Sequence, residues 1–335
     1  MLIPSIVKGE HSILGLGLGK LKIKIKFKWP KLVCILWSLM VPLPLMANCI
    51  GVVTAGGGDG FWGDVKKGAM TAAKELNVQV VVRGPADEVD EQAQSKIIKS
   101  MIAMGCKGLV LAPNSHARKL EVSQLKKEGI LTVFIDRDIG GKRVSIIKTD
   151  NYQAGYLAGV EMANALLISP KRRVVILRMD KHVISTSRRE EGFLKAIKDN
   201  KLELVYEGYI GTTISQARVN SFKILSKLNT FEGVFTPNES TSVSVLASLK
   251  QLGLADKVKH IGFDSHELMV KSVQQKNMYG FIVQNPYLMG YQGVKTVYAA
   301  MQGQAYEQSL SAEVVFVNNK NITHKKIQTL LGFIE

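Results

Sequence analysis

From residue 49 onward the chain alternates between short β-branched, apolar runs and longer amphipathic runs. The strand-like runs lie at 50–54, 78–82, 108–112, 131–135 and 144–149, and again at 173–178, 202–208, 233–236, 258–263 and 278–283. The helix-like runs lie at 61–76, 88–104, 117–128, 152–167, 185–199, 214–228, 239–252 and 285–302. Strands that alternate with helices predict βαβ units and parallel sheets covered on both faces.

The alternation occurs twice, which favours two domains over one. The chain of 335 residues is long for a single small core. About five strands in each half predict two doubly wound parallel sheets. A closed barrel of eight units, which would have no break at its midpoint, is the alternative architecture. The predicted fold class is therefore α/β, with a ligand cleft between two doubly wound domains.

The N-terminal segment has the features of an export signal. Residues 29–47 follow a lysine-rich stretch, and their uninterrupted apolar run, 32–41, is too short to span a bilayer core of about 30 Å. A positive region, a short apolar region and a final small residue, Ala47, predict an extension plus signal peptide over 1–47, cleaved after Ala47. A lipid anchor on Cys49 is the alternative, although Asn48 stands where a small residue is expected.

The basic net charge does not indicate a nucleic-acid partner. The formal charge is +16, but seven lysines and a single acid lie before residue 48. The remaining cations are spread along helix-like stretches and often stand beside acids, as in Arg188-Arg189-Glu190-Glu191, and no basic run interleaves with stacking aromatics. We therefore expect a solvated surface and no nucleic acid.

Cys49 and Cys106 would remain after cleavage, and each directly precedes a predicted strand. If those strands are parallel neighbours, an oxidising compartment permits a disulfide between them. Two buried free thiols are the favoured expectation, with the disulfide as the open alternative.

The run Gly58–Gly63 fits the G-x-G-x-x-G pattern of a dinucleotide site between a strand and a helix. Phe61 and Trp62 are bulky where a pyrophosphate must approach the backbone, and the second strand ends in Arg83-Gly84 without the acid that holds a ribose hydroxyl. A dinucleotide-dependent enzyme therefore remains only as an alternative.

Polar side chains with planar groups follow several predicted strands, where open parallel sheets bind their ligands. They are Asp136 and Arg137, Asn238, Asp264 and Gln284. Flat aromatics suit the C–H face of a sugar ring, and amide or charged groups suit its hydroxyl rim. One of Phe61 and Trp62 is expected in the core, with Trp62 the better stacking candidate.

No catalytic set is apparent in the sequence. The six histidines show no metal-ligand spacing, and neither a nucleophile elbow nor a phosphate-binding loop in a strand–helix context is found. Asp136 and Asp138 are two apart, so on an extended segment they point in opposite directions. We expect a protein that is not an enzyme and has no metal and no cofactor.

Seven motifs, in this order, resemble the ribose-binding branch of the periplasmic sugar-binding proteins, which are related to LacI-type effector domains. They are IGVV…GFWGDVKKGA, VFIDRDI, KTDNYQAG, RREEGFLKAI, GVFTPNE, HIGFDS and IVQNPYLMG. The resemblance covers about residues 49–318. It implies a type I periplasmic binding protein fold, in which a sugar lies between two lobes joined by three crossovers.

The resemblance also implies residue roles and lobe boundaries. The implied ligand contacts are Asp59, Phe61, Trp62, Asp136, Arg137, Arg189, Asn238, Asp264 and Gln284. The implied crossovers lie near 149–151, 284–286 and 308–311. The first lobe is then 48–149 with 285–308, and the second is 150–284 with 309–330.

By this resemblance the protein captures a monosaccharide in the periplasm and delivers it to an inner-membrane ABC permease, or reports it to a sensor. Three departures leave the sugar open to other pentoses, hexoses, inositols or a furanosyl signal. Asp59 replaces a common asparagine, Ala112 replaces a polar amide and Thr212 replaces an aromatic.

Overall fold

The structure is a computed structural model that describes residues 49–332. It confirms the α/β class: two six-stranded sheets, largely parallel, each carry helices. The predicted signal peptide and its cleavage after Ala47 lie outside the described residues. No helix in the described part is long and apolar enough to cross a membrane.

The first lobe is built on a sheet with the strand order β11-β5-β4-β3-β1-β2, in which every neighbouring pair is parallel. Its strands are β1 Cys49–Val53, β2 Gln79–Arg83, β3 Gly108–Leu111, β4 Leu131–Ile135, β5 Ser145–Thr149 and β11 Ser309–Ala312. Its helices are α1 Phe61–Leu76, α2 Glu91–Ala103, α3 Arg118–Lys127 and α9 Pro286–Met301.

The second lobe has the strand order β12-β10-β9-β8-β6-β7, with β12 antiparallel at the edge. Its strands are β6 Arg173–Arg178, β7 Glu203–Tyr209, β8 Gly233–Phe235, β9 Lys259–Phe263, β10 Gly280–Val283 and β12 Val315–Asn318. The remaining helices are α4 Asn151–Ala165, α5 Ile184–Asp199, α6 Ile214–Leu225, α7 Glu239–Gln251, α8 Glu267–Gln274 and α10 Lys325–Leu330.

The alternation of side chains along a strand explains why helices cover both faces of each sheet. On β1, Ile50 and Val52 pack into the core on one face, whereas Val53 packs into a separate core on the other face. Both cores are buried, so the strand is apolar throughout instead of alternating with polar residues. With both faces of such a strand apolar, the polar groups that can meet a ligand are found where the strand ends.

Three crossovers connect the lobes within the described residues. The chain leaves the first sheet after Thr149 and returns to that lobe through Gln284 and Asn285. The prediction of a third crossover near 308–311 is wrong, because β11 at 309–312 pairs in parallel with β5. The crossover lies at 313–314 instead, and residues 309–312 belong to the first lobe.

The expectation of two free thiols is also wrong, since the structure contains a disulfide between Cys49 and Cys106. Cys49 opens β1, and Cys106 lies just before the neighbouring strand β3. Parallel pairing of these strands therefore brings together two sulfurs that are 57 residues apart in the chain.

A Cys49→Ser, Cys106→Ser double variant should lose about 4 kcal/mol of unfolding free energy, because closing so long a loop restricts the unfolded chain. Urea unfolding of the variant and the wild type, both without reductant, measures this difference. Peptide mapping without reduction should recover the two cysteines in one linked species. Recovery of both as free thiols would contradict the pairing.

Helices α4 and α5 pack closely enough that only glycine fits at their contact. Gly155 of α4 faces the backbone carbonyl of Arg189 on α5, and a Cβ at this position would overlap that oxygen. The contact fixes the depth at which α5 lies against α4, and with it the position of Arg189.

Gly155→Ala should therefore force the two helices apart and lower the unfolding free energy by about 1–3 kcal/mol. Thermal and urea unfolding would measure the loss. Gly63→Ala in α1 is the matched control, because a Cβ there meets only ordinary contacts. Equal stability of the two variants would show that the helix contact tolerates a side chain.

Candidate functional site: a polar cleft between the lobes

A cavity of about 720 Å³ lies between the carboxyl ends of the two sheets. All nine predicted contact residues line it, which are Asp59, Phe61, Trp62, Asp136, Arg137, Arg189, Asn238, Asp264 and Gln284. The structure thus brings together residues from both lobes and one crossover. Their role in binding a ligand stays a prediction.

Asp136 and Asp264 occupy equivalent positions in the two lobes, each directly after a buried parallel strand. Both have a left-handed backbone, with φ of 61° and 65°. The N–H of Asp136 donates to Ile147 O at 2.9 Å, and that of Asp264 donates to Ile282 O at 2.8 Å. Aspartate tolerates this conformation better than most residues, so each strand can end in a sharp turn that keeps its carboxylate at the cleft.

In the first lobe, Glu88 connects the guanidinium of Arg137 with the indole of Trp62. Trp62 Nε1 donates to Glu88 Oε1 at 2.9 Å, and the other carboxylate oxygen pairs with Arg137. Arg137 Nε donates to Asp136 Oδ2 at 3.0 Å. Arg137 Nη1 is buried without a hydrogen-bond partner in the described structure, so it is available to an acceptor in the cleft.

In the second lobe, Asp264 is the centre of the network. It accepts from Gln284 Nε2 at 2.6 Å and from the backbone N–H of Glu239 at 3.1 Å. Arg189 Nη1 lies 3.8 Å from Asp264 Oδ2. The oxygen Oε1 of Gln284 is buried and has no partner in the described structure.

The guanidinium of Arg189 is held from three sides. Its Nε donates to Asn151 Oδ1 at 2.7 Å, and its Nη1 donates to Pro237 O at 2.8 Å. The guanidinium carbon lies 3.8 Å from the centre of the Phe263 ring. These contacts hold the cation in one orientation beside Asp264, which reduces the reorganisation needed when a ligand binds.

Burial governs the electrostatics of the cleft. Burial raises the pKa of Asp136 and of Asp264, and the adjacent Arg137 and Arg189 respectively oppose this rise. Hydrogen bonds to charged groups are stronger where water is excluded. The site therefore offers strong, directional donors and acceptors.

The two aromatic residues differ in their burial. Trp62 is 7% exposed and belongs to the core of the first lobe, whereas Phe61 is only partly buried and packs against that core. One of the two was expected in the core, and it is Trp62 that lies there; the preference for Trp62 as the stacking residue stays a prediction. Their rings meet edge to face at 4.8 Å, and both line the cavity.

The remaining predicted contacts, Asp59 and Asn238, differ in exposure and in structural role. Asp59 is exposed on the glycine-rich loop, whereas Asn238 uses its side-chain oxygen to cap α7 through the N–H of Thr241. Of the two further departures from the ribose-binding pattern, Thr212 lines the cavity, and Ala112 is buried elsewhere in the core.

Glu88 and Glu239 are cavity residues that the sequence-based prediction omitted. Glu88 lies in the loop after β2, beyond the Arg83-Gly84 pair at the end of that strand. Glu239 directly follows the predicted Asn238, but its partner Phe61 is 178 residues away. Glu239 stands in the run Pro237-Asn238-Glu239 that follows a predicted strand but was not predicted as a ligand contact, and Glu88 lies five residues beyond the end of β2.

The arrangement suits hydrogen bonding to a small polar molecule. Within residues 49–332, no group of three or more His, Cys, Asp and Glu side chains is placed to hold a metal ion. Arg137 pairs with Asp136 and Glu88, and Asp264 accepts a hydrogen bond from Gln284.

A model of the periplasmic binding protein domain matches residues 50–305. The chain belongs to this family. A ribose import binding protein from Haemophilus influenzae is 25% identical to it over 260 residues, 77% of this chain and 87% of that protein.

Two solved structures are similar in fold. The periplasmic component of an ABC-type sugar transport system from Hahella chejuensis is 29% identical, with a TM-score of 0.77 over 81% of this chain and 99% of that one. A carbohydrate transporter solute binding protein from Agrobacterium radiobacter, in complex with D-arabinose, is 27% identical. Its TM-score is 0.81, and the match covers 86% of this chain and 99% of that one. The type I periplasmic binding protein fold and the ribose-binding-like resemblance are thereby confirmed.

Glu88→Gln should lower the unfolding free energy by about 1–2 kcal/mol, because it removes the charge that pairs with Arg137 and leaves the side chain's size unchanged. Urea unfolding measures the loss. Glu91→Gln on the exposed start of α2 is the matched control. If both variants match the wild type, the Glu88 pair does not stabilise the site.

Proposed function

We propose that this protein captures a monosaccharide between its two lobes by clamshell closure and delivers it to an ABC-type importer. The observation that carries the proposal is the pair of Asp–Arg groups facing one cavity from opposite lobes. Asp136 and Arg137 come from the first lobe, and Arg189 and Asp264 come from the second. A ligand that hydrogen-bonds to both groups stabilises the arrangement in which the lobes are together.

The free hydrogen-bonding atoms of the cleft fit a polyol. Arg137 Nη1 requires an acceptor, and Gln284 Oε1 requires a donor. A sugar hydroxyl provides both functions in one small group. The partly buried ring of Phe61 and the edge of Trp62 provide the apolar surface that a sugar ring needs.

The similar proteins support a sugar without specifying which one. One is named for ribose import, and another is in complex with D-arabinose. Asp59 and Thr212 at the cavity differ from the ribose-binding pattern. We therefore propose a monosaccharide or a sugar-like molecule and leave its identity to experiment.

We also propose export to the periplasm, with cleavage after Ala47, and a binding role without catalysis. An inner-membrane permease is the proposed receiver, because the Hahella chejuensis neighbour is a component of an ABC-type sugar transport system. A sensor protein is the alternative receiver.

A dinucleotide enzyme is disfavoured by the contact at the start of α1. The N–H of Phe61 points to the place where a helix N-terminus would receive a pyrophosphate. In this structure it donates instead to the carboxylate of Glu239 at 2.8 Å. An anion is therefore already bound there, and it is supplied by the protein.

Isothermal titration with D-ribose, D-arabinose, D-allose and D-galactose tests the function. We expect at least one of these sugars to bind with micromolar or better affinity. Arg137→Ala should weaken that binding tenfold or more, because it removes a buried charged donor. Arg143→Ala is the matched control, since Arg143 pairs with Asp138 and does not line the cavity. If no sugar binds, while a thermal shift appears with NAD or NADP, the proposed function is wrong.

A further inference from the structure

The two lobes contact each other directly through the carboxylate of Glu239. Glu239 is the first residue of α7 in the second lobe, and Phe61 is the first residue of α1 in the first lobe. The backbone N–H of Phe61 donates to Glu239 Oε2 at 2.8 Å. The carboxylate, carried by the first residue of α7, thus accepts a hydrogen bond from the N-terminus of α1, which has a partial positive charge.

Gly60 provides the space in which this carboxylate lies. A Cβ on Gly60 would overlap both carboxylate oxygens of Glu239. Any larger residue here would push the carboxylate away or separate the lobes at this point. Glycine at position 60 therefore lets the carboxylate lie where it does, and a Cβ would displace this flexible side-chain end from its present position.

The same residue is connected to the ligand side of the cleft. The N–H of Glu239 donates to Asp264 Oδ2 at 3.1 Å, and Asp264 accepts from Gln284 next to the second crossover. A ligand that engages Asp264 or Gln284 therefore acts on the network that positions Glu239.

We propose that Glu239, seated over Gly60, is a latch that holds the closed cleft together. The proposal rests on the proposed function, since it concerns the closure by which that function operates. Glu239 is a positioning residue: it joins the lobes and does not need to touch the ligand.

The charged groups around the latch make closure sensitive to pH. Burial raises the pKa of Glu239 to about 7; Asp264, Asp64 and Glu88 add to the rise, whereas the Phe61 N–H opposes it. Among the nearby cations, Lys67 pairs with Asp64, and Arg189 lies beside Asp264. Within the described residues, Glu239 forms no ion pair of its own with a cation.

The direction of the pH dependence of closure follows from the pKa of Glu239 in the open and in the closed cleft. In an open cleft the carboxyl is in water and has its ordinary pKa, close to 4.5. Between that value and about 7, closure takes up a proton, so closure strengthens as the pH falls through this window. The protonated carboxyl still presents a carbonyl oxygen to the Phe61 N–H, so the latch contact persists.

The affinity for the tightest-binding sugar of the panel should therefore rise about tenfold between pH 8 and pH 6. Glu239→Gln retains the acceptor oxygen without the charge, and should bind at both pH values as the wild type does at pH 6. Glu239→Ala and Gly60→Ala should bind the same sugar at least tenfold more weakly than the wild type at both pH values. Glu91→Gln, at the start of α2 and away from the latch, should match the wild type.

Small-angle scattering on the sugar-free proteins separates the latch from the sugar assignment. At pH 5, where closure of the sugar-free wild type is strongest because Glu239 is protonated in the closed form, Glu239→Ala and Gly60→Ala should give a larger radius of gyration than the wild type, with unchanged circular dichroism. If no sugar binds but this expansion is seen, the sugar assignment fails and the latch stands. Wild-type dimensions in both variants, or a tenfold pH dependence that persists in Glu239→Gln, would overturn the latch.

Discussion

The rest of the site depends on the burial of charged groups at the ends of apolar strands. The strands β4 and β9 are apolar and buried over most of their length, and Asp136 and Asp264 stand at the first positions after them. Each carboxylate is stable there because a guanidinium from the same lobe accompanies it. Both halves of the molecule therefore present a neutralised pair of strong donors and acceptors to one cavity.

These pairs are held both by residues of the cavity wall and by helix contacts behind it. Arg189 depends on Gly155, which lets α5 approach α4, and on Asn151 at the start of α4. Arg137 depends on Glu88, which also holds the indole of Trp62. Changes in helix packing or in the loop after β2 therefore alter the binding geometry without touching a ligand.

Much of the fold could be read from the sequence, because alternating periodicities identify strands and helices locally. The edge strand β11 was missed, since its residues SLSA are short and half exposed and its pairing with β5 is set by distant contacts. The disulfide was left open for the same reason: it depends on which strands are neighbours. In the site, strand ends indicated Asp136 and Asp264, whereas Arg189 lies within a helix and was reached only through a family resemblance. The contact of Glu239 with Phe61 joins residues on different lobes, and no local pattern encodes it.

A crystal structure of the protein grown with the tightest-binding sugar tests the central claim most directly. The account predicts one sugar in the cleft, with hydroxyls within hydrogen-bond distance of Arg137 from the first lobe and Asp264 from the second at the same time. A sugar that contacts only one lobe, or that lies outside the cleft, would contradict it.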